Sequence, residues 1–519
     1  MQRDFLAAGG SDDEPVDSDV KGRGLIVVSN REPYQHTHRD GDGDGDGDVT
    51  VEQPTGGLTA GLDPVMQRIG DTWIAWGDGE ADAEVVDADD CVAVPPEDPS
   101  YDLRRVWLTE DQIRDYYYGF SNQVLWPICH SALTRVRCDP GFWDRYREVN
   151  ERFADAAVEA ADGGSVIWFQ DYHLALAPRM AAPRLPEGTT VMGFWHVPWP
   201  GWDLFRACPH RRELLEGLLG TDVLGFHTPR YRTNFLDCVD AAVDDAVVDW
   251  NAGEVSYQGE VTRVAASPMG VPFDEVGSLV DAPAAEAFVA SLERAHGIDD
   301  GTTLAVGVDR LDYSKGIVDR LLALERLWDA YPRFRGSLTY VQNGSESRSR
   351  IPAYEAVQER VAELVDRLND RFGTDDWQPV VYTTDRLSSE AMYGLYRRAD
   401  LALVSPVRDG MNLVAQEYVA AQTDGDGVLV LSDQAGVHDA VGEHAVTITP
   451  SDTEGFADAI VTAVEMGEDE RRRRMARLRR WVADHDIESW VTEIVGVALR
   501  DARVRDARSR RIPDGTPGT

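Results

Sequence analysis

Residues 304–328 read LAVGVDRLDYSKGIVDRLLALERLW. The run Leu304-Ala-Val-Gly-Val308 is apolar throughout and short, the pattern of a strand buried on both faces of a parallel sheet. It stops in a polar loop closed by Gly316. From Val318 to Trp328 the apolar residues Leu321, Leu322, Leu324 and Leu327 recur at helical spacing. The same strand–loop–helix unit repeats downstream, with strands expected at Leu338–Val341, Val380–Tyr382, Leu401–Val404 and Val428–Leu431. Upstream it repeats at Gly24–Asn30, Val166–Phe169, Val191–Trp195 and Val223–Phe226. Strands alternating with helices give an α/β fold with parallel sheets covered on both faces. The pattern restarts near Val271-Pro272, so two α/β domains in series are expected, with a break at 268–274 and a cleft where strand ends meet.

The chain has 519 residues, 92 acidic and 51 basic, for a formal charge of -41. Such a charge repels nucleic acid and anionic membranes. Only Lys21 and Lys315 are lysines; the other 49 basic residues are arginine. An acidic excess with almost no lysine suits a protein kept soluble in concentrated salt, where repulsion is screened within a few ångströms, and points to a halophile cytosol. No apolar run approaches a membrane span and no secretory pattern opens the chain, so a cytoplasmic protein without membrane partners is expected. Cys91, Cys129, Cys138, Cys208 and Cys238 are scattered and never spaced C-x-x-C, so reduced, mostly buried thiols are expected.

Residues 1–23 read as a disordered acidic arm and 504–519 as a disordered tail. Residues 40–48, DGDGDGDGD, resemble the opening of a calcium loop. Counting from Asp40, Asp42 or Asp44, the twelfth position is Val51, Gln53 or Thr55, never the required glutamate. A flexible acidic insertion is the expectation. The arginines at 471–474, 477, 479 and 480 fit a solvated helix offset by Glu468, Asp469 and Glu470.

Chemistry collects where strands end. Asn30-Arg31 closes the first strand, and Gly56-Gly57 can bring backbone N–H groups close to a phosphate. Asp171 and His173 follow one strand and His196 the next. Arg310 and Lys315 flank a helix entrance, a setting suited to a pyrophosphate. After the strand ending near Pro406, Gly410 and Met411 are expected at a helix N-terminus, with free N–H groups for an anion. Glu417 is placed to accept hydrogen bonds from a ribose diol; Asp409 as a helix cap is the alternative at that turn. No P-loop, GxGxxG or HExxH is present, which argues against kinases, classical dehydrogenases and metalloproteases.

The motifs SNR (29–31), GGL (56–58), FSNQVLWP (120–127), DYHL (171–174), HVPWP (196–200), RLDYSKG (310–316) and RDGMNLVAQEYVAAQ (408–422) closely resemble the trehalose-6-phosphate synthases. These are retaining glycosyltransferases of the GT-B type, with two Rossmann-like domains facing across a cleft. The resemblance spans about residues 24–500. It implies an acceptor domain at 24–270 and a nucleotide-sugar domain at 271–485. It further implies a helix at 486–503 packing back on the first domain. Position by position it implies that Arg31, Tyr117, Trp126 and Arg348 hold the phosphate-bearing acceptor, with Asp171 on its hydroxyls. It places Gly56, Gly57, His196, Arg310, Lys315, Leu387, Asp409, Gly410, Met411, Asn412, Leu413, Val414, Ala415, Gln416 and Glu417 about the nucleotide sugar. His196, Arg310, Lys315 and Asp171 stand closest to the reaction. The implied reaction moves glucose from a nucleoside-diphosphate glucose to glucose 6-phosphate, giving α,α-trehalose 6-phosphate, with no cofactor and no metal. A separate phosphatase is expected to act on the product, and a homo-oligomer is compatible with the resemblance. Gln170 stands where the family often has histidine, Trp195 and Trp199 replace smaller or phenylalanine residues, and 343–347, NGSES, departs from the usual bacterial sequence. A glucosylglycerol-phosphate synthase-like transferase using glycerol 3-phosphate and a non-catalytic sensing relative are the alternatives; the donor base is open.

Overall fold

A computed structural model describes residues 23–38, 49–53, 57–299 and 301–509. The arm before residue 23, the insertion 40–48, Gly56 and the tail from 510 lie outside the described residues. In the first lobe, strands Leu25–Val28, Thr72–Trp76, Tyr101–Val106, Val166–Gln170, Thr190–Trp195, Val223–Phe226 and Glu260–Ala266 run parallel. Numbered along the chain, they stand across the sheet in the order 3-2-1-4-5-6-7. Cys91–Val94 is added antiparallel at one edge, and Glu254–Tyr257 with Val247–Asp249 at the other. In the second lobe, Thr303–Arg310, Leu338–Ser345, Val380–Thr383, Leu401–Val404, Val428–Ser432 and Val446–Ile448 are all parallel, in the order 3-2-1-4-5-6. The observed architecture is therefore the α/β pair of Rossmann-like domains that the sequence implied. In each sheet the winding reverses between the first and fourth strands, so their exit loops part and leave a crevice at the carboxyl ends.

Alternation along a strand sends neighbours to opposite faces. Ile26 and Val28 join one core of the first lobe, while Leu25 and Val27 join the other. In the second lobe Leu304 and Val306 part from Ala305 in the same way. The helix expected over 318–328 runs Ile317–Ala330.

Core membership changes between Met269 and Val271, and again between Val482 and Ile487. The two crossings touch: Ile487 N–H donates to the Val271 carbonyl at 3.2 Å. Beyond the second crossing, helix Ile487–Ser509 packs Trp490, Ile494 and Val495 against Leu25, Val27 and Met192. It runs six residues past the end expected at 503, so residues 504–509 are helical rather than tail. The segment 498–509 is rich in alanine and arginine and lacks glycine and proline, so nothing stops the helix there.

The five cysteines are free thiols, with Cys129, Cys208 and Cys238 buried and Cys138 exposed. Among the described residues no helix is long and apolar enough to cross a membrane.

Candidate active site

The second-lobe half of the site grows from the loops after strands Thr303–Arg310 and Leu401–Val404. Asp312 Oδ1 accepts from Ser314 N–H at 2.9 Å, which turns the chain after Arg310. Gly316 has φ +64°, and a Cβ there would lie 2.0 Å from the Ser405 carbonyl oxygen, so glycine alone lets the two loops meet. Behind them buried Arg320 ties the strand ends together through Asp309 at 2.7 Å and Ser405 at 2.9 Å. This packing sets Lys315 Nζ 2.6 Å from Asp409 Oδ2. Burial works to raise the Asp409 carboxyl, but the Lys315 ammonium outweighs it and holds the group below the ordinary carboxylate range.

Asp409 does not cap the helix that follows. Its carboxylate accepts from Gly410 N–H and from the Asn412 amide, each at 2.9 Å. The cap is Asn412, at φ +74°, whose Oδ1 accepts from Ala415 N–H at 3.0 Å. The helix begins at Leu413, so Gly410 and Met411 precede it instead of forming its first turn, because an asparagine tolerates the left-handed conformation the turn needs. Ala415, Gln416 and Glu417 are buried; Leu413 and Val414 are partly so. Gln416 Nε2 donates to the Met269 carbonyl at 3.1 Å, joining this helix to the lobe crossing. Burial pushes the Glu417 carboxyl up to about 7, and Tyr396 OH donates to it at 3.4 Å.

The first-lobe half grows from strands Leu25–Val28 and Val166–Gln170. Ser29 Oγ donates to the Arg31 carbonyl at 2.6 Å. Arg31 then reaches Tyr117, donating to its hydroxyl at 2.8 Å. Tyr117 lies on a π-helix, Ile113–Leu125. Asn122 Nδ2 donates to the Tyr117 carbonyl at 2.7 Å, and Trp126 N–H donates to the Ser121 carbonyl, an i to i−5 pairing. A long π segment is rare and collects at functional sites. Its C-terminal end presents Trp126.

Arg348 comes from the second lobe with φ +52°. Its guanidinium lies 4.0 Å from the Trp126 ring and donates to Tyr354 OH at 2.7 Å and Tyr172 OH at 3.1 Å. Asp312 Oδ2 faces it at 3.6 Å. Arg310 lies 5.4 Å from the same indole. Neither Arg31 nor Arg310 has an ion pair among the described residues. Burial would raise the Tyr117 phenol, yet Arg31, Arg348 and Arg310 together pull it down to about 8. Three guanidiniums thus gather around aromatic rings with one ion-paired carboxylate, Asp312, among the described residues, an arrangement suited to an anion.

Asp171 and His196 stand between the two halves. Asp171 has φ +67°, and its Oδ1 accepts from His196 N–H at 3.1 Å. Burial pushes its carboxyl up to about 6, against the backbone donors of Tyr172 and His196 and the charges of Arg348 and Arg310. A Cβ on Gly410 would lie 2.0 Å from the His196 carbonyl oxygen, so the lobes meet here with glycine at the contact.

The sequence-derived residues thus fall into one cluster of Arg31, Tyr117, Trp126, Arg348 and Arg310, and a second of Lys315, Asp409 and the run to Glu417. Leu387 packs against the second-lobe core, and Gly57 starts helix Gly57–Ile69 with φ +74°. Gly56 is outside the described residues. Sequence reasoning missed Tyr172, Tyr354 and Asp312 as holders of Arg348, and Gln170 and His227 as neighbours of His196. Tyr172 and Asp312 sit inside the quoted motifs DYHL and RLDYSKG; Tyr354 and His227 carried no local signal. Among the described residues no cluster of three His, Cys, Asp or Glu is placed to hold a metal ion.

Known proteins share this arrangement. The model of glycosyltransferase family 20 matches residues 23–498. A trehalose-6-phosphate synthase of Mycolicibacterium smegmatis is 36% identical over 492 residues, covering 93% of this chain and 94% of that one. A bifunctional trehalose-6-phosphate synthase/phosphatase of Thermoproteus tenax is 34% identical, with 91% of this chain matched to 63% of its longer one. The structure of an α,α-trehalose-phosphate synthase (UDP-forming) from Burkholderia vietnamiensis superposes with a TM-score of 0.82 at 29% identity, covering 93% of this chain and 98% of that one. The E. coli protein bound with UDP-2-fluoro glucose superposes at 0.79 with 30% identity, covering 92% of this chain and 98% of that one. A match of this length, over both lobes and both crevice halves, places the chain in glycosyltransferase family 20.

Proposed function

We infer that the chain transfers glucose from UDP-glucose to glucose 6-phosphate, forming α,α-trehalose 6-phosphate. The observation that carries this reading is the convergence of Arg31, Arg310 and Arg348 on Tyr117 and Trp126, opposite the Lys315–Asp409 pair and Glu417. Arg31 and Arg348, with Tyr117 and Trp126, take the acceptor phosphate, for which planar guanidiniums are suited. Glu417 takes the ribose diol. Arg310 and Lys315 take the diphosphate, with Leu387 and the run Gly410–Gln416 along the nucleotide and Gly56 and Gly57 at the phosphates. Asp171 orders acceptor hydroxyls and His196 the donor sugar. The relatives above, and one from Burkholderia xenovorans solved in complex with glucose-6-phosphate, support the substrate pair.

In the reaction the bond from the anomeric carbon to the diphosphate breaks. A bond to the anomeric hydroxyl of glucose 6-phosphate forms on the same face, and that hydroxyl's proton passes to a departing phosphate oxygen. Growing charge on the diphosphate is met by Arg310 and Lys315, which are already in place and need no reorganisation. No pair of carboxylates flanking the bond is required, unlike in glycosidases. Residues 24–270 serve the acceptor and 271–485 the donor, with the final helix bracing the first lobe. The composition supports an osmolyte-making role in a salt-rich cytoplasm.

The test is direct. Purified protein in molar potassium chloride is given glucose 6-phosphate with UDP-, GDP- or ADP-glucose, and the product is read by NMR. Trehalose 6-phosphate with UDP-glucose is expected. No product with any donor, from protein shown to be folded, overturns the reading.

A further inference from the structure

The backbone of His196 is held on both sides. Its N–H donates to Asp171 Oδ1 at 3.1 Å, and the Gly410 backbone presses on its carbonyl. Its ring is packed by Phe194 at 4.7 Å, His227 at 5.2 Å and Trp490 at 5.9 Å. With backbone and packing fixed, the remaining freedom is which ring nitrogen carries the proton. One polar group touches a ring nitrogen among the described residues: Gln170 Oε1, 2.9 Å from Nε2. Gln170 is 1% exposed and pairs in register with Phe194, two residues before His196. A carboxamide oxygen only accepts, so this orientation of Gln170 calls for the proton on Nε2.

We propose that Gln170 is the positioning residue for His196, accepting its Nε2 proton, fixing the ring plane and leaving the Nδ1 lone pair free. The proposal rests on the reading that sets His196 against the donor sugar. The surroundings keep the ring neutral, so the tautomer is the quantity that matters. Burial, then His227, hold His196 well below the ordinary histidine range. His227 is itself pushed down to about 3 by burial, against the opposing charge of Asp409. Asp171 engages His196 through the backbone, and the Phe194 and Trp490 rings bring no charge. An amide at position 170 also cannot titrate, so the Gln170–His196 contact adds no ionisation of its own beside that of Asp171.

Gln170→Leu keeps the bulk and removes the acceptor; Gln170→Glu puts a carboxylate at the same distance. Histidine 15N spectra of the unliganded protein, with His196 assigned through a His196→Gln control, report the tautomer whether or not the proposed reaction is right. In wild type the His196 signals should show a protonated Nε2. In Gln170→Leu they should move toward a mixture of tautomers, and kcat should fall about 10- to 100-fold with the acceptor KM little changed. Gln170→Glu should raise the His196 pKa and give the rate profile a new ionisation absent from wild type, because a carboxylate that close favours imidazolium. Gln170→His, which restores an acceptor, should recover activity. Unmoved His196 signals in Gln170→Leu, or moved signals with parental kcat, overturn the proposal. If Gln170→Leu does not fold, a Gln170→Glu rate profile superimposable on wild type overturns it. Failure of wild type to make product with any donor would overturn the reaction instead, and leaves the spectra to be judged separately.

Discussion

Replacing Arg31 by alanine should weaken the acceptor while sparing the fold and the donor. Arg31 is exposed at the crevice mouth, and its side chain makes one hydrogen bond, to Tyr117. Truncation strands no buried charge, so stability should change by no more than about 0.5 kcal/mol. Two unit charges 4 Å apart attract by about 4 kcal/mol at an effective dielectric of about 20. Water and the neighbouring Arg310 and Arg348 recover part of this, leaving a loss of about 2–3 kcal/mol. At about 1.4 kcal/mol per tenfold, the glucose 6-phosphate KM should rise about 30- to 150-fold, with kcat and donor KM within about threefold. Arg348→Ala supplies the contrast. It should raise the same KM, but it also strips a facing charge from buried Asp312 and two tyrosine hydroxyls of their donor. Removing one partner of a buried pair costs about 3–5 kcal/mol, so this variant should melt well below wild type. Initial rates over a grid of both substrates, with thermal melts of the three proteins, decide the matter. An Arg31→Ala enzyme with unchanged acceptor KM and collapsed donor binding would refute the assignment of Arg31 and Arg348 to the acceptor phosphate.

Lys315→Arg should lower kcat about 100-fold or more while donor affinity, measured by titration, changes less. A guanidinium is wider than the ammonium now 2.6 Å from Asp409, and the charge matters most as the diphosphate departs; near-parental turnover would show that charge alone suffices. Above about pH 8 the Tyr117 phenolate should compete with the phosphate dianion for the same guanidiniums, so acceptor KM should climb with pH in wild type and stay flat in Tyr117→Phe. Glu417 should behave in the opposite sense. A ribose diol donating hydrogen bonds favours its carboxylate, so donor affinity should rise as pH passes through about 7, and calorimetry in two buffers should detect proton release that Glu417→Gln lacks. With a formal charge of -41, the melting temperature should rise steeply from dilute to molar salt, and a flat curve would count against the salt-adapted reading.

Strands buried on both faces were legible because nothing polar interrupts them. Val166–Phe169, Val223–Phe226 and Leu401–Val404 are apolar runs buried from end to end. Strands of mixed face were not: Tyr101–Val106 carries Asp102, Arg104 and Arg105, and Glu260–Ala266 opens on two exposed residues, so neither stands out from a loop. Arg105 is fully buried all the same, because Glu32 and Asp82 pair with it at 2.8 and 2.9 Å, and no local pattern announces partners so far away along the chain. The site divides along the same line. Its residues sit at the ends of legible strands, and the motifs locate them. What holds them comes from elsewhere: Arg348 leans on Trp126 and Tyr172, and Gly410 on His196. In both contacts a second-lobe residue completes a first-lobe surface. The residue assigned to acceptor phosphate thus hangs from the lobe assigned to the donor, and the histidine assigned to the donor sugar hangs from the lobe assigned to the acceptor. Each substrate's site is finished only where the lobes meet, so neither half read alone shows the chemistry.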